Sequence, residues 1–525
     1  MLLTHQQKNY IKKNIRSLPL ENIASGLNID QSLITEYLSK KWGEQKLKRF
    51  LQEAHKVQTQ TEIAPSKLKV DFLKYGWLYI LALVALIFIT YTNALNNAFL
   101  SDDLAEIVQN PNIGNLPHAI STHLTGFIRP LIYWISYQIG GLSPILFRLS
   151  NVLFHLGSTI LIFVILSRLH QSKKVAFFAA SFFAIHPAIA EAVVWISGGM
   201  YTQYTFFFLL SLFLYLKESK KFYWLAVAVF LLTLMSHPQM PLLLFLVFPL
   251  FEFCFGNLRK NWVKVIPFFV ISTVYVLLTL TALPERETTL KSTHYQEKGI
   301  DNPLFLIPVA ISSYLQLLFY PKDLTLYHSE LAFGPVQFTL RVLITLVFLG
   351  FLAVAFKKNR SYFFWLSFFW LALAPTLTPF RLNWIVAERY LYLPGIGIFT
   401  LIALGLNKLS ERKKYQYLVL GFFTIIVILL SARTIYRNID WKNEDNLWIA
   451  TGKTSPSSPN THNNLGDVYG RQGDKQKSLQ EFQTAIALKP NYADAYHNLG
   501  NVYRELGQID KALESYQKAA QFNPH

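Results

Sequence analysis

The sequence predicts an all-α, polytopic membrane protein that ends in a short α-solenoid. Hydrophobic residues make up 52% of the 525 positions and charged residues only 15%. A soluble chain of this size carries about a quarter charged residues. The apolar residues gather into runs such as 77–91, 268–282 and 342–356. With their flanks these approach the ~20 residues a helix needs to cross the hydrocarbon core. A 34-residue repeat near the C-terminus predicts the solenoid.

Residues 1–70 are polar and basic, and are expected to form a cytosolic helical region with a linker over 55–70. The stretches 20–24, 26–30 and 32–38 resemble a helix-turn-helix. Ala24 would pack where the two helices cross, and Asp30 would cap the second. One such match is a weak signal, and a plain cytosolic hairpin explains it equally, so DNA is not expected as a partner. The formal charge of +18 does not argue for nucleic acid either. The Lys and Arg cluster in this region and in the short gaps between apolar runs, as cytoplasmic loops require. No cleavable signal peptide is expected, because polar sequence precedes the first apolar run. Cys254 is the single cysteine, so no internal disulfide can form.

Residues 71–436 are expected to be the transmembrane domain. The basic N-terminus stays inside, so the first span, about 75–95, exits to the far side. Basic gaps at Arg168/Lys173/Lys174, Lys217/Lys220/Lys221 and Arg259/Lys260/Lys264 then face the cytoplasm. So do Lys357/Lys358/Arg360 and Lys408/Arg412/Lys413/Lys414. Segment 303–320 is apolar enough to span, but a span there would put Lys357, Lys358 and Arg360 outside. It is therefore read as an interfacial or re-entrant helix on the far side. About eleven spans follow, with the C-terminus outside. The far-side segments are loops 96–144 and 284–335, and short turns near 186–199, 236–240 and 380–390.

Residues 437–525 form the tail. Leu465, Gly466, Tyr469, Gly473, Phe482, Ala485 and Pro490 each recur 34 positions later, as Leu499, Gly500, Tyr503, Gly507, Tyr516, Ala519 and Pro524. This is the period and pattern of the tetratricopeptide repeat (TPR), with units 459–492 and 493–525. Small residues at 466, 485, 500 and 519 let paired helices approach, and the aromatics fill the gap. Trp448 and Pro456 lie where the second helix of a degenerate repeat would join the last span to the array.

Ionisable side chains at membrane depth are costly, which makes them candidates for function. Asp102 and Asp103 follow the first span directly. Adjacent carboxylates at the outer surface suit a general base or a divalent ion. The plainer alternative is an N-cap for a helix over 104–109. Other far-side residues are Arg129, His186, Glu191, His237, Arg381, Glu388 and Arg389. Arg suits bidentate phosphate binding, while Glu and His position an acceptor or metal. Each has a bland counterpart as a cap, a snorkelling side chain or a helix–helix hydrogen bond. For His155, in the second span, the packing bond is preferred. No phosphate-cradling glycine loop occurs, so a membrane-embedded site suits a polyprenyl-phosphate donor better than a soluble nucleotide sugar.

These residues sit in segments that resemble the transmembrane and TPR-containing O-mannosyltransferases and their prokaryotic relatives, of the GT-C glycosyltransferase class. The segments are 96–110 (NNAFLSDDLAEIVQN), 129–131, 140–155 (GGLSPILFRLSNVLFH), 183–193 (FAIHPAIAEAV), 388–394 (ERYLYLP) and the TPR tail. The resemblance implies a many-helix fold with a catalytic acid in the first outer loop, carried here by Asp102 and Asp103. It implies that Arg389, with Arg129 and Arg381, holds the donor phosphate. His186, Glu191, His237 and Glu388 would line the site. The implied reaction is transfer of a mannose-like sugar from polyprenyl phosphate to an extracytoplasmic acceptor, protein Ser/Thr or a glycan, with inversion. No cofactor beyond this lipid-linked donor is implied, and a divalent cation stays open. Where the family often has Lys-Glu after a serine, Ser236 is followed by His237-Pro238. The tail is shorter than in animal members, and the first 70 residues are foreign to the family. The compact tail and helix-turn-helix-like start point to a prokaryotic chain in the plasma membrane.

Two other classes compete with an enzyme. A membrane-anchored TPR scaffold for protein–protein interaction would not need the carboxylate pair. A transporter would show repeat symmetry among its spans, and none is evident.

Overall fold

The computed structural model describes residues 4–15, 23–24, 27, 29–45, 47, 76–122, 125–217, 219–280, 303–329, 331, 333–377 and 384–523. These divide between two compact units, Met1–Lys67 and Leu68–His525. Every regular element among the described residues is helical.

The first unit holds α1 (His5–Asn14) and α2 (Gln31–Trp42), closed around Ile11, Ile15, Ile23, Ala24, Ile34, Leu38 and Leu47. Ala24 is buried in this core, and Asp30 caps α2 by accepting the Ser32 N–H at 2.7 Å, the role expected for it. Part of the turn motif, 20–22, lies outside the described residues, as does the linker at 55–70.

The second unit begins with α3 (Gly76–Tyr91), α4 (Ile128–Gly140), α5 (Pro144–Leu169), α6 (Lys173–Ile185) and the short α7 (Ala190–Val194). It continues with α8 (Gly199–Tyr215), α9 (Lys220–Ser236), α10 (Val247–Cys254), α11 (Ile266–Leu280) and α12 (Pro303–Phe319). Next come α13 (Pro335–Lys358), α14 (Arg360–Leu373), α15 (Gly395–Ser410) and α16 (Gln416–Asp440). Five stretches are long and apolar enough to cross a membrane: Gly76–Ala94, Pro144–Leu169, Leu258–Thr279, Pro335–Lys358 and Lys413–Asp440. A sixth is the pair Lys173–Ile185 and Pro187–Val194, bent by 60°. The expected eleven spans were counted from apolar runs, and proline cuts several of those runs into shorter helices. Pro187, Pro238 and Pro375 each follow a helix end, because a proline interior to a helix loses a hydrogen bond and clashes with the preceding turn.

The helices differ in what they face. On α13 and α16 apolar side chains such as Leu343, Val347, Phe351, Leu418, Phe422 and Ile425 are exposed, which is the surface a bilayer would cover. α6, α7 and α15 are buried within the bundle. The broken α6–α7 backbone is thus enclosed in protein, where non-helical chain at membrane depth is tolerated. His186 caps the break by accepting the Ala188 N–H at 3.2 Å.

The tail follows α16 without a gap. α17 (Glu444–Thr454) leads into α18 (Pro459–Arg471), α19 (Lys475–Leu488), α20 (Ala493–Glu505) and α21 (Ile509–Phe522). A Cβ on Gly466 would lie 2.6 Å from the Phe482 ring, and one on Gly500 would lie 2.7 Å from Tyr516. The glycines are therefore what lets each helix pair close on its aromatic. α17 packs on α18, as the second helix of a degenerate repeat would.

Candidate active site

The acid loop is pinned from inside the bundle. After α3 the chain turns outward, and Arg148 of α5 reaches up to it. Its guanidinium donates to the carbonyls of Leu95 (3.1 Å), Asn97 (2.6 Å), Ala98 (3.0 Å) and Val194 (2.7 Å). Four carbonyl acceptors around one buried guanidinium fix the path of residues 95–98. Ser101 then adopts a left-handed φ of +53°, a conformation that costs a side-chain-bearing residue about 1–2 kcal/mol. The Glu444 carboxylate holds it there by accepting the Ser101 N–H.

The two adjacent acids have different surroundings. Asp102 is exposed. Asp103 is fully buried, and its Oδ1 accepts from the Ser197 N–H at 2.8 Å and the Ser197 hydroxyl at 2.5 Å. Its Oδ2 reaches back to the Leu100 N–H at 3.3 Å. Burial pushes the Asp103 carboxyl up to about 7, against the pull of the Ser197 and Leu100 hydrogen bonds. A helical segment does begin at 102, but Asp103 makes no capping bond, and residues 104–108 are a wide π turn. Such turns are rare and recur at functional sites.

Opposite this loop, the 3₁₀ turn Glu388–Leu391 presents Arg389. Glu191, fully buried on α7, accepts from the Arg389 side chain at 2.5 Å and from its backbone N–H at 3.1 Å. The guanidinium lies 5.5 Å from the Trp195 ring and 5.2 Å from that of Tyr390. Trp195 stands two residues from Ser197, so one short segment touches Arg389 at one end and Asp103 at the other. Tyr327, with its hydroxyl pushed up to about 12 mainly by burial, feels the charges of Asp102, Arg389, Glu444 and Glu191 together. Glu388 points elsewhere: it accepts from Arg437 at 3.2 Å and from the Thr325 N–H, and Arg437 also binds Asp440 at 3.0 Å.

The remaining candidates take distinct places. Arg129 pairs with Glu106 at 2.9 Å, and Asp102 acts electrostatically on both. His186 is held at the α6–α7 break, its Nε2 3.0 Å from the Leu318 carbonyl. His237 accepts from the Gln239 and Met240 N–H groups and lies 5.0 Å from the Tyr201 ring, which is 6.0 Å from Tyr390. It thus stands one aromatic layer behind Arg389. His155 makes packing bonds to the Tyr392 hydroxyl and the Ala184 carbonyl. Arg381 lies outside the described residues. Among the described residues, no three His, Cys, Asp or Glu side chains gather as a metal-ligand set.

Sequence reasoning missed Ser197, Glu106, Tyr327, Glu444 and Arg437. Arg437 carried a usable signal, as a cation at the end of an apolar run. Glu106 lies inside the segment 96–110, where the Asp pair drew the attention; Ser197, Tyr327 and Glu444 come from separate segments, and no motif marks them.

Fold and site define a multi-pass helical membrane protein with TPR repeats at its C-terminus. The tail matches the tetratricopeptide repeat family over 493–525 and the TPR repeat family over 471–503. Over most of its length the chain is similar to protein O-mannosyl-transferases. Protein O-mannosyl-transferase F38B6.6 of Caenorhabditis elegans is 24% identical over 484 residues, covering 83% of this chain and 66% of the relative. Protein O-mannosyl-transferase TMTC3 of Homo sapiens is 24% identical over 469 residues, covering 78% of this chain and 51% of the relative. Tmtc2 of Drosophila melanogaster reaches 36% identity, over 116 residues. The chain spans from about half to just under two thirds of the length of the two relatives it matches most broadly.

Proposed function

We propose that the chain is a membrane glycosyltransferase of the GT-C type. It transfers a mannose-like hexose from polyprenyl phosphate to an extracytoplasmic acceptor, a protein Ser/Thr hydroxyl or a glycan. The observation that carries this reading is the exposed Asp102 carboxylate on a loop anchored by Arg148, Asp103 and Glu444, linked through the segment Trp195–Ser197 to the buried Arg389–Glu191 pair. In this scheme Asp102 takes the proton of the acceptor hydroxyl. The acceptor oxygen bonds to the anomeric carbon as that carbon's bond to the phosphate oxygen breaks, inverting the centre. Arg389, pre-aligned by Glu191, stabilises the negative charge that builds on the departing polyprenyl phosphate. Asp103 holds the loop through Ser197 and is a positioning residue. The names of the relatives, protein O-mannosyl-transferases, support the transferase class and the sugar. The proposed setting is a plasma membrane, with the first unit in the cytoplasm and the tail outside. The tail would select or present the acceptor.

The test is an assay of purified protein with a panel of polyprenyl-phosphate sugars, with and without chelator. Asp102→Asn should cut transfer by roughly a hundred- to ten-thousandfold while donor binding persists. Arg389→Lys keeps the charge but loses the fork, and should weaken donor binding. An Asp102→Asn protein with full activity moves the acid elsewhere. Loss of activity on chelation assigns a divalent cation to the reaction. Failure of wild type with every donor favours the non-catalytic TPR scaffold.

A further inference from the structure

Within electrostatic reach of Asp102 lies a cleft of about 120 Å³. Its walls come from the π turn, the loop after it, the short helix Leu116–Thr122 and the start of α4. Glu106, Asn110, Asn112, His118, Arg129 and Tyr133 supply the polar groups. The cleft is built by fixed contacts. The Asn110 amide donates to the Glu106 carbonyl at 3.1 Å, and its oxygen accepts the Asn112 N–H at 2.9 Å. Trp134 of α4 ties the loop down by donating to the Gly114 carbonyl at 3.2 Å. Ile107, next to Glu106, is buried with Tyr133, Phe147 and Ile196, which fixes the π turn that places Glu106.

The chemistry of these walls selects among ligands. Arg129 and Glu106 neutralise one another at 2.9 Å, so the cleft offers no uncompensated cation. A phosphate carries only acceptor oxygens and would meet the Glu106 carboxylate. An apolar ligand would strip water from side chains that need hydrogen-bond partners. A sugar hydroxyl both donates and accepts. Neighbouring hydroxyls on a ring therefore match a wall where a carboxylate and amide oxygens alternate with guanidinium, amide and phenol donors. The charge of Asp102 acts on both Glu106 and Arg129, so a ring bound here lies within electrostatic reach of the proposed base.

We propose that this cleft is the subsite for the hydroxyls of the transferred hexose, with Glu106, Arg129 and Asn112 as the residues that decide sugar preference. The inference rests on the lipid-linked donor reading and deepens it. It also separates the two arginines: Arg389 faces the phosphate and Arg129 the sugar.

The test compares two probes in nanodiscs, polyprenyl-phosphate mannose and bare polyprenyl phosphate. Wild type should bind the glycosylated lipid more tightly. Glu106→Gln should lose about tenfold on the glycosylated probe, the scale of one hydrogen bond to a charged group, and Asn112→Ala a few-fold, the scale of a neutral one, with binding of the bare lipid unchanged. The Asn112 variant leaves the ion pair intact, which separates recognition from folding. Variants that keep the wild-type ratio of the two affinities overturn the assignment, as do variants that weaken both probes equally. A raised KM for the acceptor with the donor ratio intact also overturns it, by making the cleft an acceptor site. If wild type binds bare polyprenyl phosphate but shows no preference for the mannosylated form, the donor reading survives and this inference does not. Wild type that binds neither probe ends both.

Discussion

Asp102 and Asp103 are neighbours in sequence with opposite environments, and the roles proposed for them divide accordingly. A base must reach solvent or substrate, and Asp102 does. Asp103 is closed in by Ser197 and Leu100. Its carboxyl is raised to about 7 from an ordinary value near 4. A carboxyl raised on folding gives stability that is fully present below its unfolded value and is lost as pH rises through its folded value. The folded state should therefore weaken between about pH 4 and pH 7, by on the order of a few kcal/mol. Asn at this position keeps an oxygen for Ser197 and cannot ionise. Thermal unfolding in detergent should show wild type melting several degrees lower at pH 8.5 than at pH 5.5, with Asp103→Asn nearly flat. A wild-type midpoint that does not fall with pH would mean that Asp103 ionises freely in the folded protein.

At the scale of elements, α17 joins the tail to the acid loop. Glu444 accepts the Ser101 N–H with one oxygen and the Trp448 indole N–H, at 2.5 Å, with the other. The Lys442 carbonyl accepts the Ala98 N–H at 2.9 Å. Trp448 also lies 5.8 Å from the Tyr327 ring. In the proposed reaction Glu444 is thus a positioning residue, acting on Asp102 through the strained Ser101. Glu444→Ala should lower kcat about tenfold or more and leave donor affinity unchanged, because only the acid loop relaxes. Glu444→Gln keeps an acceptor for Ser101 and should restore most of the rate. Equal loss in both variants, with weaker donor binding, would instead indicate general unfolding.

On the scale of the whole molecule, the tail docks on segment 320–331. The Thr325 and Ser455 hydroxyls lie 2.8 Å apart, Ser455 also donates to the Tyr327 carbonyl, and Ser457 donates to the Ser329 carbonyl at 3.4 Å. These hydrogen bonds come from α17 and the turn after it, while Leu465 and Val468 of the first repeat join the main core. Deleting from residue 460 onward should therefore impair transfer to protein acceptors while sparing a small acceptor mimic. Deleting from 444 should abolish both, because the brace on Ser101 goes with it. Loss of both activities in the shorter deletion would make the repeats structural. Orientation has its own test: a reporter after His525 should read outside the cytoplasm and one at Lys358 inside. A cytoplasmic reading at His525 would overturn the span count and the extracytoplasmic placement of the tail, and with it that of the acid loop that Glu444 braces.

Local and periodic properties were legible in the sequence alone. Apolar runs, the 34-residue period and the spacing of Gly466 and Gly500 report what each segment must bury, and burial depends on residue type and spacing. The cap at Asp30 belongs to the same class, because a cap reads only its next few residues. The candidate acid and Arg389 could be found from motif order. What they do to one another could not. Glu191 meets Arg389 198 positions away, Ser197 meets Asp103 94 positions away, and Glu444 meets Ser101 343 positions away. No local pattern encodes such pairings, because burial and hydrogen bonding across the bundle arise only when distant helices pack. Packing buried Asp103 and exposed Asp102, paired Arg129 with Glu106 over a cleft, and turned Glu388 away from its neighbour Arg389. Chain position made these residues candidates, and tertiary contact distributed their roles.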